Sequence, residues 1–72
     1  MVLVNFKLTE KAPVELQLTQ PELLSIVLEK SSKLARLKLG GVIAVRNGKV
    51  VSLNEFIHQS DEIDVFPALS GG

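Results

Sequence analysis

Apolar and polar residues alternate in two short runs near the start of the chain. Residues 2–8 carry apolar side chains at nearly every second position, and residues 14–18 alternate throughout. This period of two is typical of half-buried strands. Residues 9–13 between the runs are largely polar and end in a proline, which indicates a turn. The pattern therefore predicts a β-hairpin.

After this hairpin, the spacing between apolar residues changes from the period of a strand to that of a helix. Glu22 follows Thr19 at the spacing of a capping box, and Pro21 falls in the first turn, where its missing amide proton costs nothing. A wide apolar face comes next, which predicts an α-helix that begins at Thr19 and covers a sheet. The members of this face are Leu23, Leu24, Ile26, Val27 and Leu28.

Two turn signals follow the apolar face. Residues 31–39 have room for one more helical turn before Gly40-Gly41, a pair typical of a helix or loop end at positive φ. Residues 42–45 are continuously apolar, which predicts a central strand buried on both faces. Asn47-Gly48 is a strong hairpin signal, so residues 49–51 are predicted to return as its partner.

The remaining residues form a connector and a last strand. In the connector, residues 52–60, we expect three side chains to reach the core: Leu53, Phe56 and Ile57. Residues 63–66 alternate as a strand, and pairing should stop at Pro67 because proline has no amide proton to donate. The connector is too long for a tight hairpin. The last strand is therefore free to lie parallel to the first, in the sheet centre.

The resulting order of elements is strand, strand, helix, strand, strand, strand. This order predicts an α+β fold of the β-grasp, or ubiquitin-like, type, in which a mixed sheet packs on one main helix. We expect a domain at residues 1–66 and a flexible Gly-Gly tail at residues 67–72. The chain has 72 residues and no cysteine, so apolar packing must supply its stability.

Hydropathy and charge narrow the classes of partner. No apolar run approaches the roughly 20 residues that span a bilayer, so we expect a cytoplasmic protein with no membrane partner. The net charge is zero, but the charged residues are all basic from Lys30 to Lys49 and all acidic from residue 50 onward. The basic segment holds no aromatic residue for base stacking, so no nucleic-acid partner is expected. The acidic end is suited to steer docking onto a basic surface.

The sequence lacks the parts of a catalytic or metal site. His58 is the only histidine, there is no cysteine, and the nearby acids do not have the spacing of metal ligands. Gly40-Gly41 lacks the lysine and hydroxyl residue of a phosphate-binding loop. We therefore expect His58 at the surface, and a chain that is not itself an enzyme.

The last residues of the chain are the remaining candidates for a functional site. Ser70, Gly71 and Gly72 form a narrow tail that fits a channel too tight for larger side chains. The α-carboxylate of Gly72 is unhindered, which suits activation by another enzyme and attack by a sulfur or nitrogen nucleophile. The alternative is an ordinary frayed terminus.

With this tail, the chain resembles the small sulfur carriers of the MoaD and ThiS families. The resemblance covers the order of elements and is strongest in the second half of the chain. The residues that carry it are Ala44-Val45, Asn47-Gly48, Asp61-Glu62-Ile63 and the ending from Phe66 to Gly72. The Phe66-Pro67 strand end and the Ser70-Gly71-Gly72 terminus favour MoaD, the small subunit of molybdopterin synthase.

The resemblance implies that a partner related to ubiquitin-activating enzymes adenylates the Gly72 carboxylate, which is then converted to a thiocarboxylate. It implies that Leu69, Ser70 and Gly71 thread into the partner. ATP and Mg²⁺ belong to that partner, so this chain binds no cofactor and no metal. A larger catalytic subunit, such as the molybdopterin synthase large subunit, is the second implied partner.

Docking is expected to use apolar surface near Phe66 and Pro67. The alternative for Phe66 is a place in the core, since strand aromatics usually pack inward. Three further functions stay open. They are a ThiS-type carrier for thiamine or another sulfur-containing product, a protein modifier joined through Gly72 to lysines, and a β-grasp interaction domain whose last glycines are incidental.

Overall fold

The computed structural model describes residues 1–38 and 40–67. Within these ranges the chain forms strands and one α-helix. In chain order they are β1 (Val2–Phe6), β2 (Val14–Leu16), β3 (Glu22–Leu23), α1 (Leu24–Ala35), β4 (Val42–Arg46), β5 (Lys49–Val51), β6 (Phe56–Ile57) and β7 (Glu62–Pro67).

The main sheet has five strands in the order β2-β1-β7-β4-β5. β7 lies at its centre, parallel to β1 and antiparallel to β4. The prediction that the last strand lies beside the first in the sheet centre is therefore confirmed. Helix α1 packs on one face of this sheet, and β3 and β6 form a separate two-stranded sheet. The architecture is the predicted β-grasp fold.

The hydrophobic core lies between α1 and one face of the main sheet. Its fully buried members are Val2, Val4, Leu24, Val27, Ile57 and Ile63. The prediction of a central β4 buried on both faces is wrong. β4 lies between β7 and the edge strand β5, and although Ala44 is buried, its neighbour Ile43 is 50% exposed. The run is continuously apolar because both faces of β4 are apolar, yet only one face is covered.

Helix α1 begins later than the capping box predicts. Leu23 is the N-cap residue, and no side chain caps the helix. Glu22 and Leu23 instead pair with β6. The first helical amides donate to the connector: Leu24 N–H to the Glu55 carbonyl at 2.9 Å, and Ser25 N–H to the Leu53 carbonyl at 3.1 Å. Backbone carbonyls distant in sequence thus satisfy the groups that a cap would satisfy.

Because no side chain caps α1, we expect Thr19→Ala to change the free energy of unfolding only slightly. A true N-cap threonine contributes about 1 kcal/mol, whereas an exposed residue outside such a role stays within about 0.5 kcal/mol. We expect the smaller value, measured as the free energy of unfolding by chemical denaturation. A loss of a full kcal/mol or more would restore Thr19 as the cap.

Helix α1 ends at Ala35, which confirms part of the extra turn predicted for residues 31–39. Ser31 is buried inside this turn, where its hydroxyl donates to the Val27 carbonyl at 2.7 Å. The positive φ that ends the helix falls on Arg36, at 54°. The Gly40-Gly41 pair ends the loop before β4, which is one of the two places predicted for it, and not the helix. Gly40 lies outside the positive-φ region, so the positive φ predicted there is wrong.

The two hairpins differ in how well their lengths were predicted. Asn47 and Gly48 both adopt positive φ between β4 and β5, as a two-residue hairpin loop requires. In the first hairpin, β1 stops at Phe6 and β2 at Leu16, two residues short of each predicted end. Leu8 has a φ of 61° and is exposed, because the chain turns before reaching it.

The connector places one of its three predicted core residues in the core. Ile57 is fully buried, but Leu53 is 51% exposed and Phe56 is 55% exposed. Phe56 and Ile57 are neighbours in β6, so their side chains point to opposite faces. Leu53 lies on the segment whose carbonyls cap α1. No helix in the described parts of the chain is long and apolar enough to cross a membrane.

Candidate functional site

Strand β7 leads from the sheet centre to Pro67, the last residue that the structure describes. Pro67 pairs with Val42 at the start of β4, so the strand runs one residue past its predicted end. The predicted tail residues Leu69, Ser70, Gly71 and Gly72 lie outside the described residues, as does Ala68.

The side chains of β7 alternate between the two faces of the sheet. Ile63 and Val65 are buried towards α1. Glu62, Asp64 and Phe66 therefore point to the opposite face, which we call the open face. Phe66 is half-buried there and is not part of the core. The alternative that placed Phe66 in the core is wrong, because strand register puts it on the open face.

An apolar patch surrounds Phe66 on the open face. Ile43 pairs directly with Phe66, and Val45 and Val50 pair with each other across the β4–β5 hairpin on the same face. Ile43 is 50% exposed and Val50 is 72% exposed. These four residues form the open-face patch. Contiguous apolar surface that stays exposed makes this face a candidate site of protein interaction.

An acidic strip borders the open-face patch. Glu62 and Asp64 lie on β7, and Glu15 lies on β2 across from β1. The Asn5 amide nitrogen donates to Glu62 Oε2 at 2.8 Å and to Asp64 Oδ1 at 2.9 Å. Asn5 thereby holds two carboxylates side by side next to Phe66. Two of the four carboxylates of the acidic end predicted from the sequence, Glu62 and Asp64, are thus on the same face as the patch, whereas Glu55 lies in the connector and Asp61 directly follows it.

Five members of this face were missed in the sequence: Asn5, Glu15, Ile43, Val45 and Val50. The parallel pairing of Asn5 with Asp64 joins residues far apart in the chain, so no local pattern reveals it. Residues 42–45 and 50–51 are continuously apolar, so no alternation in the sequence separates the exposed Ile43 and Val50 from the buried Ala44 and Val51 on the other face.

His58 lies at the surface, as predicted. Its side chain is 61% exposed, and its backbone amide donates to Asp61 Oδ2 at 2.9 Å. The same carboxylate accepts Arg46 Nη1 at 3.2 Å, and Arg46 also donates to the Phe56 carbonyl at 3.0 Å. This cluster fastens the β4–β5 hairpin to the connector. Within residues 1–38 and 40–67, no three His, Asp or Glu side chains come together as a metal-binding group.

Four of the six cations of the basic segment lie on the other side of the molecule from the acidic strip, and the remaining two, Arg46 and Lys49, lie on the β4–β5 hairpin. Lys30 and Lys33 are exposed on α1, and Arg36 and Lys38 are exposed just after it. Because α1 covers the face opposite the open-face patch, these four cations lie on the side of the molecule away from the acidic strip. That side is mixed in charge, since Glu29 also lies on α1 and pairs with Lys33 at 3.4 Å.

Comparison with known proteins gives one family and one fold. The model of the ThiS family matches residues 2–72. No curated protein matches the chain. Among solved structures, the crystal structure of SAMP1 from Haloferax volcanii superposes with a TM-score of 0.76 at 21% identity, over 99% of this chain and 98% of that chain. At that identity, the likeness shows a shared fold.

Proposed function

Because the chain belongs to the ThiS family, we propose that it is a sulfur carrier whose Gly72 carboxylate is adenylated by a partner enzyme and converted to a thiocarboxylate. The observation that carries this proposal is the open-face patch, which joins β4 and β5 to Phe66 on β7, the strand that leads into the tail. A partner that covers Phe66 and Ile43 is positioned to receive residues 68–72. The described residues thus offer a docking surface, and the sequence beyond it offers the acyl group.

The proposed reaction needs no catalytic residue in this chain. A carboxylate oxygen of Gly72 attacks the α-phosphate of ATP, which releases pyrophosphate and leaves an acyl adenylate. A hydrosulfide ion then attacks the carbonyl carbon, AMP leaves with the carbon–oxygen bond electrons, and loss of the S–H proton leaves the Gly72 thiocarboxylate. ATP and Mg²⁺ are bound by the activating enzyme. This chain contributes the acyl group and the docking surface, so it is a carrier and not the enzyme.

The narrow end of the chain is what this chemistry requires. Gly71 and Gly72 have no Cβ, and Ser70 has a small side chain, so these residues fit a channel that leads to the nucleotide. We propose that Leu69, Ser70 and Gly71 thread through this channel of the partner while Gly72 reaches the reacting phosphate.

Docking on the partner combines two physical effects on the open face. Burial of the open-face patch supplies affinity, at about 25 cal/mol for each Å² of apolar area removed from water. The acidic strip held by Asn5 attracts a basic partner surface, which raises the association rate and fixes the orientation. Phe66 is the member of the open-face patch nearest the tail, and Pro67 follows it at the end of β7, so these two residues set where the tail enters the partner.

We expect Ile43→Arg to raise the KM for this chain in the adenylation reaction by about tenfold. The substitution places a charge in the centre of the open-face patch, and truncating or charging a central anchor of an interface costs 1 to 2 kcal/mol or more. Ile43 is remote from the reacting atoms, so kcat should stay unchanged. Pyrophosphate exchange with the activating enzyme measures both constants.

Leu34→Arg is the matched control for this prediction. Leu34 is 64% exposed on α1, the side of the molecule away from the patch. Both variants add one arginine at an exposed apolar position, and only Ile43→Arg should change KM. Equal effects from both variants would contradict docking through the open face.

For the downstream step we propose delivery of sulfur to a larger catalytic subunit such as the molybdopterin synthase large subunit. Its support is the MoaD-like ending, Phe66-Pro67 together with Ser70-Gly71-Gly72. The ThiS family match supports a second candidate, a carrier for thiamine synthesis. Incubating the thiocarboxylated chain with each acceptor system separates the two. Conversion of a molybdopterin precursor supports the first, and formation of a thiazole product supports the second.

A further inference from the structure

Leu8 is an exposed leucine in a strained backbone conformation. It lies in the turn between β1 and β2, its φ is 61°, and the residue is 77% exposed. A bulky residue in the left-handed region is rare, because its Cβ approaches the following carbonyl oxygen. Leu8 belongs neither to the hydrophobic core nor to the apolar residues that pack against it. The fold therefore tolerates strain and exposed apolar surface at this position without any packing in return.

The other described residues with positive φ each have a local reason for it. Arg36 ends α1 as its C-cap, where a left-handed residue is common. Asn47 and Gly48 form the two-residue loop of the β4–β5 hairpin. Ser60 has the small polar side chain that turns favour. Among the positive-φ residues that the structure describes, only Leu8 has a large apolar side chain, so its strain calls for another reason.

Hydrogen bonds on both sides of Leu8 fix the turn that holds it. The Thr9 hydroxyl donates to the Phe6 carbonyl at 2.9 Å and accepts from the Lys11 amide at 3.2 Å. The Lys7 amide donates to a carbonyl of β7 at 2.8 Å. None of these bonds uses the Leu8 side chain, and an asparagine or glycine at this position would relieve the strain. Stability of the turn is therefore not the reason for a leucine here.

Leu8 lies at the end of the sheet where β7 finishes. β1 and β7 are parallel, so both strands finish at the same end of the sheet. Phe6 and Val65 are paired there. Leu8 and Pro67 each follow this pair by two residues, a stretch that reaches at most about 7 Å. A partner that covers Pro67 at this end of the sheet therefore also meets Leu8.

We propose that Leu8 is an apolar anchor, which enters an apolar pocket of the activating enzyme at the end of the sheet where β7 finishes. The inference rests on the proposed function, since it names a second contact with the same enzyme. It extends the docking surface, because the open-face patch lies on β4, β5 and β7, whereas Leu8 follows β1. The neighbouring Lys7, Glu10 and Lys11 are exposed and of both signs, so apolar contact and not charge distinguishes this point.

The fixed turn makes Leu8 suited to this role. Its backbone is held before the partner arrives, so less conformational entropy is lost when the side chain is buried. Burial in an apolar pocket also removes from water a side chain that the fold of the free chain leaves exposed. The strain and exposure at Leu8 thus have a return in the complex that they lack in the free protein.

Leu8→Asn tests the proposal, because stability and binding are expected to change in opposite directions. Asparagine tolerates positive φ, so the urea midpoint of unfolding should rise by roughly 0.3 to 1 M. Loss of the apolar side chain should raise the KM for this chain in the adenylation reaction by about tenfold, as for a truncated interface anchor, with kcat unchanged. Leu8→Met keeps an apolar side chain of similar volume, so its KM should stay near that of the unsubstituted chain.

Leu34→Asn is the matched control. It makes the same substitution at a leucine that is 64% exposed on α1, which packs on the face opposite the open-face patch, and its KM should not change. Equal KM values for Leu8→Asn and Leu34→Asn would overturn the anchor. So would a lower urea midpoint for Leu8→Asn, since Leu8 would then have a structural role.

Two further outcomes identify other errors. If the unsubstituted chain self-associates in analytical ultracentrifugation and Leu8→Asn abolishes this association, the occupant is a second copy of the chain and the proposal is wrong. If the unsubstituted chain is not adenylated by an enzyme that is competent on its own carrier, the proposed function fails and the anchor with it. Adenylation with an unchanged KM for Leu8→Asn removes the anchor alone and leaves the carrier function standing.

Discussion

Adding one alanine after Gly72 is expected to lower the rate of adenylation by about 100-fold or more, because a misplacement of only 1 Å at a reacting group costs that much. One extra residue moves the terminal carboxylate by roughly 3.3 to 3.6 Å along an extended chain. A channel that fits Gly71 and Gly72 must then also accept a Cβ beside the nucleotide. The measurement is pyrophosphate exchange at saturating concentrations of the extended chain.

The control for this prediction is one alanine added before Met1. Met1 is 53% exposed, and the addition gives the same mass and composition as the C-terminal extension. We expect it to be adenylated at the normal rate. If the chain extended after Gly72 were adenylated as fast as this control without being trimmed, Gly72 would not be the activated residue.

The second large effect concerns stability, and it is expected for Ile57→Ala. Ile57 is fully buried in the core through β6, and truncating such a residue to alanine costs about 2 to 5 kcal/mol of unfolding free energy. A small domain has only about 5 to 15 kcal/mol in total, so the variant should lose a large share of its stability. The loss should also reach α1, because the connector that contains β6 caps this helix.

Phe56→Ala is the control for Ile57→Ala, because it truncates the neighbouring residue of β6, which is not buried. Phe56 is 55% exposed, and its backbone carbonyl, which accepts the Arg46 hydrogen bond, remains in the variant. We expect a loss below about 1 kcal/mol, as for an exposed position. Urea denaturation of both variants gives the comparison. A larger loss for Phe56→Ala than for Ile57→Ala would contradict the assignment of the core.

The fold was predictable because its main signals are local. Alternation in residues 2–8 and 14–18, the apolar face of α1 and the Asn47-Gly48 turn each lie within one short stretch of sequence. Together they leave few topologies open, since the long connector allows β7 to pair in parallel with β1. The structure confirms that pairing.

The predictions failed where tertiary contacts replace local ones. Thr19 and Glu22 have the spacing of a capping box, but the carbonyls of Leu53 and Glu55 reach the first helical amides instead. Glu22 is drawn into β3 by its pairing with Ile57. A capping motif in the sequence competes with every other acceptor that the fold brings near, and here the connector provides the acceptors.

The candidate site was predictable only along β7. Phe66 and Pro67 mark the end of that strand in the sequence. β4 was not predictable in the same way, because a continuous apolar run such as residues 42–45 fits either a strand buried on both faces or a strand with one open apolar face. The structure shows the second arrangement, with Ile43 beside Phe66. The link from Asn5 to Glu62 and Asp64 depends on parallel register, which no local pattern encodes.

Intact-protein mass spectrometry tests the central claim most directly. The chain is incubated with ATP, a sulfur source and an adenylating enzyme of the ubiquitin-activating type, and its mass is measured before and after. The carrier function predicts a gain equal to the replacement of one oxygen by one sulfur, localised to Gly72 by fragmentation. An unchanged mass, with an enzyme shown to be competent on its own carrier, would contradict it.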